Sequence, residues 1–255
     1  MSYKVQSNEP IAITWFGDPH VDDNGCNWPL LKRDCDIVAN TPGMYGANIG
    51  DSHNNWVGRL VKKYIDQEAT LNEAYQMIDW LFHESGVNWL LILLGNHDEW
   101  NDGARILNGM NAYNVPMVDW RAQFQLEFPN GMNCKIDAAH DHKGHSQWNK
   151  LHGQGKAALM GGQAHLYVAG HRHCWALGQD ECPDSGRVYW LARCRGYKYI
   201  DDYADRLGFP NQEFGASIVS VIDPNAETPT EFITCFADVQ QGADYLQWRR
   251  KKNGY

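Results

Sequence analysis

Four short stretches of this chain carry side chains able to hold a divalent cation. They are Asp18-Pro19-His20, Gly50-Asp51-Ser52-His53-Asn54, Gly95-Asn96-His97-Asp98 and Gly170-His171-Arg172-His173. A further histidine cluster, His140-Asp141-His142-Lys143-Gly144-His145, lies between the last two. Carboxylate, amide and imidazole donors without thiolate suit borderline or hard ions such as manganese, iron, zinc or nickel. A single Asp or His of this kind is usually a cap or turn residue. The conjunction is what points to a site. Asp18, His20, Asp51, Asn96, His140, His171 and His173 exceed the needs of one ion and suffice for two sharing a carboxylate. Two like cations about 3.5–4 Å apart repel, so a bridging carboxylate and a bridging hydroxide must hold them together. Asp51 is the expected bridge, because it sits centrally in the inferred strand order.

Each stretch follows an apolar run that reads as a strand. Leu90 to Leu94 is apolar throughout, the pattern of a strand buried on both faces in the middle of a sheet. Ile11 to Phe16 stops at Gly17, Met44 to Ile49 at Gly50, and His165 to Ala169 at Gly170. In open α/β sheets the carboxyl ends of strands are where ligands bind. All the donor stretches are therefore expected on one side of one sheet. Helices are expected over Trp28 to Ala39, Trp56 to Ile65, a stretch capped by Thr70 and Glu73 and ending near Gly86, Asn101 to Asn111, and Trp148 to Met160. Phe124 to Phe128 and Cys134 to Ala139 flank Pro129-Asn130-Gly131 as a hairpin. Val188 to Ala192, Ser217 to Ile222 and Glu231 to Phe236 read as later strands, and Arg249 to Tyr255 as a frayed basic end. No repeat or linker divides the chain, so residues 1–255 are expected to form a single domain.

The order Asp-x-His, Gly-Asp-x-x-Asn, Gly-Asn-His-Asp, a later His, then Gly-His-x-His resembles the calcineurin-like metallophosphoesterase superfamily. The motifs span residues 17 to 173, and Asp141 to Ala158 is also similar to phage and bacterial proteins of this type. The resemblance implies an α/β fold, a four-layer α-β-β-α sandwich, with a dinuclear site. By that pattern Asp18, His20, Asp51 and His173 would hold one ion, and Asp51, Asn96, His140 and His171 the other. His97 would face the leaving group as a catalytic residue, with Asp98 orienting its ring. Asn54 would lie behind the ligands, where the family carries Asp or Asn. For the middle ligand His140 is favoured, since Lys135 to Ala139 reads as the strand feeding it; His142 and His145 are its rivals. His152 would lie behind the ligands or face substrate, while His53, His83 and His165 read as structural.

The function expected is hydrolysis of a phosphomonoester or phosphodiester by a hydroxide generated between the two ions. The substrate would be a small phosphate ester or nucleotide, with nucleic acid as the alternative of a nuclease. A non-catalytic scaffold is the third reading; the complete motif set weighs against it. The net charge of −9 opposes wrapping of long duplexes, which needs basic surface. Arg172, Arg105, Lys156 and Arg193 to Lys198 are candidate holders of substrate phosphate or solvated surface charge. Trp148, Trp175 and Trp190 read as buried core rather than a stacking wall. A 43% hydrophobic content fits a globular protein with a real core. Seven cysteines with no C-x-x-C pair fit reduced thiols, and a polar N-terminus without a long apolar run fits a cytoplasmic protein with no membrane partner.

Overall fold

The computed structural model describes residues 1–110, 115–198 and 214–255. Two six-stranded mixed sheets face one another. In chain order the elements are β1 (Ser2–Lys4), β2 (Ile11–Phe16), α1 (Trp28–Asn40), β3 (Met44–Ile49), α2 (Leu71–Asp79) and β4 (Trp89–Leu94). There follow α3 (Asn96–Glu99), α4 (Gly103–Met110), β5 (Met117–Asp119), β6 (Arg121–Glu127), β7 (Asn133–Ala139), α5 (His152–Leu159) and β8 (Leu166–Ala169). The chain closes with β9 (Ala176–Glu181), β10 (Val188–Arg193), β11 (Ser217–Ile222), β12 (Ile233–Phe236) and a last helix, α6 (Val239–Lys252). One sheet runs β12-β11-β2-β3-β4-β5, the other β1-β6-β7-β8-β10-β9.

Strand alternation builds the layers. Ile11, Ile13 and Trp15 of β2 point between the sheets, where they meet Leu91, Phe124, Ile136, Val168 and Ile218. Ala12 and Phe16 point the other way, onto Leu31, Val38, Ile78, Leu81 and Leu246 of the covering helices. On the far side of the second sheet, Ala158 of α5 packs with Tyr167, Tyr189 and Leu191. Fully burying such a side chain stabilises the fold by about 1.5–3 kcal/mol. The result is the α/β sandwich expected from the resemblance. Among the described residues no helix is long and apolar enough to cross a membrane.

Several local expectations hold. The Thr70 hydroxyl accepts from the Glu73 amide at 3.3 Å while the Glu73 carboxylate accepts from the Thr70 amide at 2.8 Å, closing the capping box that starts α2. The hairpin around Asn130-Gly131 joins β6 to β7 in antiparallel register. Others are corrected. The donors do not share one sheet: the stretches after β2, β3 and β4 belong to one and those after β7 and β8 to the other. β4 is not central, because only the short β5 lies beyond it. The Trp56–Ile65 stretch is a 3-10 segment, Gly58–Ile65, with no buried residue. Gly58, at φ +56°, breaks it from Trp56, whose ring is buried. The helix expected from Trp148 starts only at His152, and Trp148 is 94% exposed rather than core, while Trp175 and Trp190 are half-buried. The C-terminus is not frayed. Arg249 is buried in α6 and pairs with Asp223 and, at 3.3 Å, with Glu231.

Candidate metal centre

The strand ends converge because backbone bonds tie their loops together. The amides of His20 and Val21 donate to the carbonyls of Asp51 and Ser52, each at 3.0 Å, locking the turn after β2 to the turn after β3. The other sheet is joined in the same way. The Gly170 amide donates to the His140 carbonyl at 3.0 Å, and the His140 amide to the Trp120 carbonyl at 2.7 Å. Across the gap between sheets, the His171 amide donates to Asp18 Oδ2 at 2.6 Å. His140 Nδ1 donates to the Ile49 carbonyl at 2.8 Å.

The side chains meet around Asp51. One cluster with ligand atoms within 4.8 Å of one another is His20, Asp51 and His97; a second is Asp51, His140 and His171. Asp51 belongs to both. Its Oδ2 lies 3.3 Å from His140 Nε2 and 3.9 Å from His20 Nε2. Asn96 Oδ1 is 3.2 Å from His140 Nε2, and His171 Nδ1 is 3.0 Å from it. Asp18 Oδ1 is 3.7 Å from His140 Nδ1. The His173 ring stacks on His20 with centroids 5.3 Å apart. All seven expected donors and His97 are therefore brought together.

Backbone conformation marks the same residues. Asp18, His20, Asp51, His171 and His173 all have positive φ, between +24° and +66°. Non-glycine residues there cost roughly 1–3 kcal/mol each and concentrate at functional sites. Gly95 is needed for a different reason: a Cβ on it would fall 2.2 Å from Asp51 Oδ1. Only a glycine lets β4 end so close to the shared carboxylate.

The groups of the cluster are shifted in opposite directions: burial lowers the His140 ring, but the Asp51 hydrogen bond and charge overcome it and raise that ring to about 9. Burial drives the His20 imidazole well below its ordinary range, with His97 adding to the effect. Burial and then the His140 charge bring His171 down to about 4. Both rings are thus held neutral, the form that ligates a metal. Burial opposes ionisation of Asp51, but the hydrogen bond and charge of His140 overcome it and hold the carboxyl well below the usual range. Burial pushes Asp18 up to about 8, with His140 opposing and Asp51 reinforcing the rise. Asp18 Oδ1 and His20 Nδ1 are buried with no hydrogen-bond partner, an arrangement that is costly unless something else satisfies them. Oxygen and imidazole donors around a shared carboxylate fit a divalent ion, or two.

Two expectations about the histidines need comment. His142 is buried but turned away, 3.2 Å from Asp137, and His145 and His152 are exposed, so only His140 reaches Asp51. Asp98 does not orient the His97 ring. Its Oδ1 accepts from the Ser52 amide at 2.8 Å and its Oδ2 from the Gly95 amide at 2.9 Å, bracing the ends of β3 and β4. The His97 ring is held instead by the Asn54 carbonyl, which accepts from Nδ1. A backbone acceptor leaves no trace in residue type, so sequence reasoning had no signal for it. Asn55, also missed, donates to the carbonyls of His97 and Trp100.

Most candidate phosphate holders are already engaged. Arg193 is buried and donates to the Gly170 carbonyl at 2.6 Å, the Lys150 carbonyl at 2.8 Å and Asp141 at 3.0 Å. It pins the end of β8. Arg172 also bonds Asp141, at 2.8 Å, and Lys198 lies 2.9 Å from Asp23. Arg105 is exposed, 4.0 Å from Asp102, Arg195 is buried against the Phe214 carbonyl at 3.4 Å, and Lys156 is an exposed residue of α5.

The two-sheet α/β sandwich has likenesses of low sequence identity among solved structures. Among solved structures the chain is similar to GAP50, the anchor in the inner membrane complex of Plasmodium. The two are 12% identical over 91% of this chain and 86% of that one, with a TM-score of 0.50. It is also similar to the calcineurin-like phosphoesterase YfkN from Bacillus subtilis, 12% identical over 96% of this chain and 97% of that one, TM-score 0.39. The NAD nucleotidase NadN of Haemophilus influenzae is 11% identical over 90% of this chain and 49% of that one, TM-score 0.48; this chain spans about half its length. No family model matches the sequence, and no curated protein matches it.

Proposed function

We propose that this chain, as one domain over residues 1–255, is a metal-dependent phosphoric ester hydrolase acting on a phosphomonoester or phosphodiester. The observation that carries the reading is the meeting of two ligand clusters at Asp51. Asp18, His20, Asp51 and His173 would hold one divalent ion, and Asp51, Asn96, His140 and His171 the other. Manganese, iron, zinc and nickel all suit such donors. Bound divalent ions supply Lewis acidity towards phosphoryl oxygens and acidify a water at neutral pH.

The remaining work falls to His97. A carbonyl oxygen only accepts, so the Asn54 contact keeps a proton on Nδ1 and leaves Nε2 for the leaving oxygen. In the protonated ring Nε2 donates to that oxygen as the ester bond breaks. The ring cannot swing away, because Trp56 and Trp100 pack against it at centroid distances of 5.3 and 4.2 Å. Asp98 acts on the backbone, fixing the Gly95 and Ser52 amides beside Asn96 and Asp51.

The test is metal analysis of purified protein together with a hydrolysis screen in manganese, nickel or zinc. The substrates are nitrophenyl phosphate, bis-nitrophenyl phosphate, cyclic nucleotides and single-stranded DNA. Metal-dependent turnover abolished by chelator is expected. Stoichiometric metal with no turnover of any of them would move the assignment to a non-catalytic scaffold, and absence of metal would end it.

A further inference from the structure

Trp100 stands directly beyond the proposed leaving-group histidine. Among the described residues three other rings surround His97: His20 at 4.9 Å, Trp56 at 5.3 Å and Trp100 at 4.2 Å between centroids. His20 and Trp56 are buried, whereas Trp100 is half-buried. Of these three rings only the Trp100 indole is partly open to solvent, so it is the one that a group attached to the leaving oxygen could reach.

The backbone holds that indole in place at some cost. Asn101 and Asp102, immediately after it, have φ of +50° and +60°, and neither is glycine. The Trp100 carbonyl accepts from Asn55 Nδ2, and Asn55 itself sits at φ +43°. Three non-glycine residues in the left-handed region around one side chain indicate a position that packing over-determines. The segment of Trp120 is tied to the end of β4, from which Trp100 follows, by the Trp120 amide, which donates to the Leu94 carbonyl at 3.3 Å. Trp120 has φ +56°, is 37% exposed, and lies edge-on to His140 at 5.1 Å. Two tryptophans on linked segments therefore flank the cluster, one beside His97 and one beside His140.

A buried core tryptophan would need neither a half-open ring nor strained neighbours. We propose that Trp100 is the specificity-determining surface of the site, and that its substrate carries a flat aromatic group beyond the scissile oxygen which stacks on the indole. This rests on the hydrolase reading above and names its substrate class. The flat group could be a nucleobase or a simple aryl ring; both present the same π face.

The test is inhibition of metal-dependent nitrophenyl phosphate hydrolysis by adenosine monophosphate and by ribose 5-phosphate. These share a phosphate and a leaving alkoxide, and ribose 5-phosphate carries an anomeric hydroxyl in place of the base. The wild type should bind adenosine monophosphate about 5- to 150-fold more tightly, the range for stacking one base on an aromatic side chain. Benzyl phosphate against ethyl phosphate, run in parallel, tells a base-specific site from a general aryl one; preference for the ring in either pair supports the proposal. Trp100→Ala should bring the preferred pair to near equality, and Trp100→Phe should restore the preference. Because each result is a ratio on one variant, a displaced His97 or lower overall activity does not alter it. Equal inhibition within both pairs by wild type, or a preference that survives Trp100→Ala, overturns the proposal while leaving the hydrolase intact. Where bis-nitrophenyl phosphate is the ester turned over it serves as the reporter in the same comparisons, and turnover of neither ester fails the hydrolase reading instead.

Discussion

Under the proposed function, His97 and Asp51 would divide the labour of the site at the level of single side chains. His97 touches Asp51 only through its backbone amide, which donates to Oδ1 at 2.9 Å, while its ring is anchored on the Asn54 carbonyl. Removing the ring should therefore spare the metals and cost the proton. His97→Ala is expected to keep wild-type metal content by elemental analysis and to lose about 10²–10⁴-fold in kcat towards poor leaving groups. Loss of metal in that variant would show that the imidazole is a ligand, as its place in the first cluster allows. The opposite split is expected for the shared carboxylate. Asp51→Ala should bind less than half the wild-type metal and show no chelator-sensitive activity, because both clusters lose a member. A variant retaining both metals would exclude Asp51 as the bridge.

The strand ends matter as much as the side chains they carry, because they are packed against one another with no space for a methyl group. Gly95 closes β4 where a Cβ would meet Asp51 Oδ1 at 2.2 Å and the Asp51 amide at 2.6 Å. Gly95→Ala should leave far-ultraviolet circular dichroism unchanged while lowering metal affinity at least tenfold, since Asp51 must shift. Unchanged metal affinity would mean that the two turns can separate without cost. Asp137, on β7, tests a different element. The Arg121, His142 and Gln123 hydrogen bonds overcome its burial and hold its carboxyl well below the usual range. Its pKa is thus lower folded than unfolded, so its contribution to stability is present above about pH 4 and is lost as pH falls towards the folded value. Denaturant titrations of wild type and Asp137→Asn should differ most near neutrality and converge on acidification. A stability difference that stays constant from pH 6 to pH 3 would refute that assignment.

For the molecule as a whole, the C-terminal helix is a structural member. Arg249 is buried against Asp223 and Glu231, and Leu246 and Ala243 pack into the helical layer over β11. Breaking a buried pair by removing one partner costs about 3–5 kcal/mol. Arg249→Met should lower the thermal midpoint by roughly 6–20 °C in a chain of this size. A shift under 2 °C would mean that the helix is dispensable. The sequence taken alone was enough for the candidate donor set and for much of the fold. Donor types, their glycine-bounded strand ends and their order are local features, and so are the capping box at Thr70 and the turn at Asn130-Gly131. Part of the site was out of its reach. Two sheets rather than one supply the donors, and the Asn54 carbonyl rather than Asp98 holds the His97 ring, whereas His140, favoured from the strand that feeds it, does face Asp51. The last residue of the helix expected over Asn101 to Asn111 lies outside the described residues. The physical reason is common to these cases. Which strands pair and which backbone carbonyl faces a ring depend on register and long-range packing, and neither is a property of residue type or of neighbouring positions.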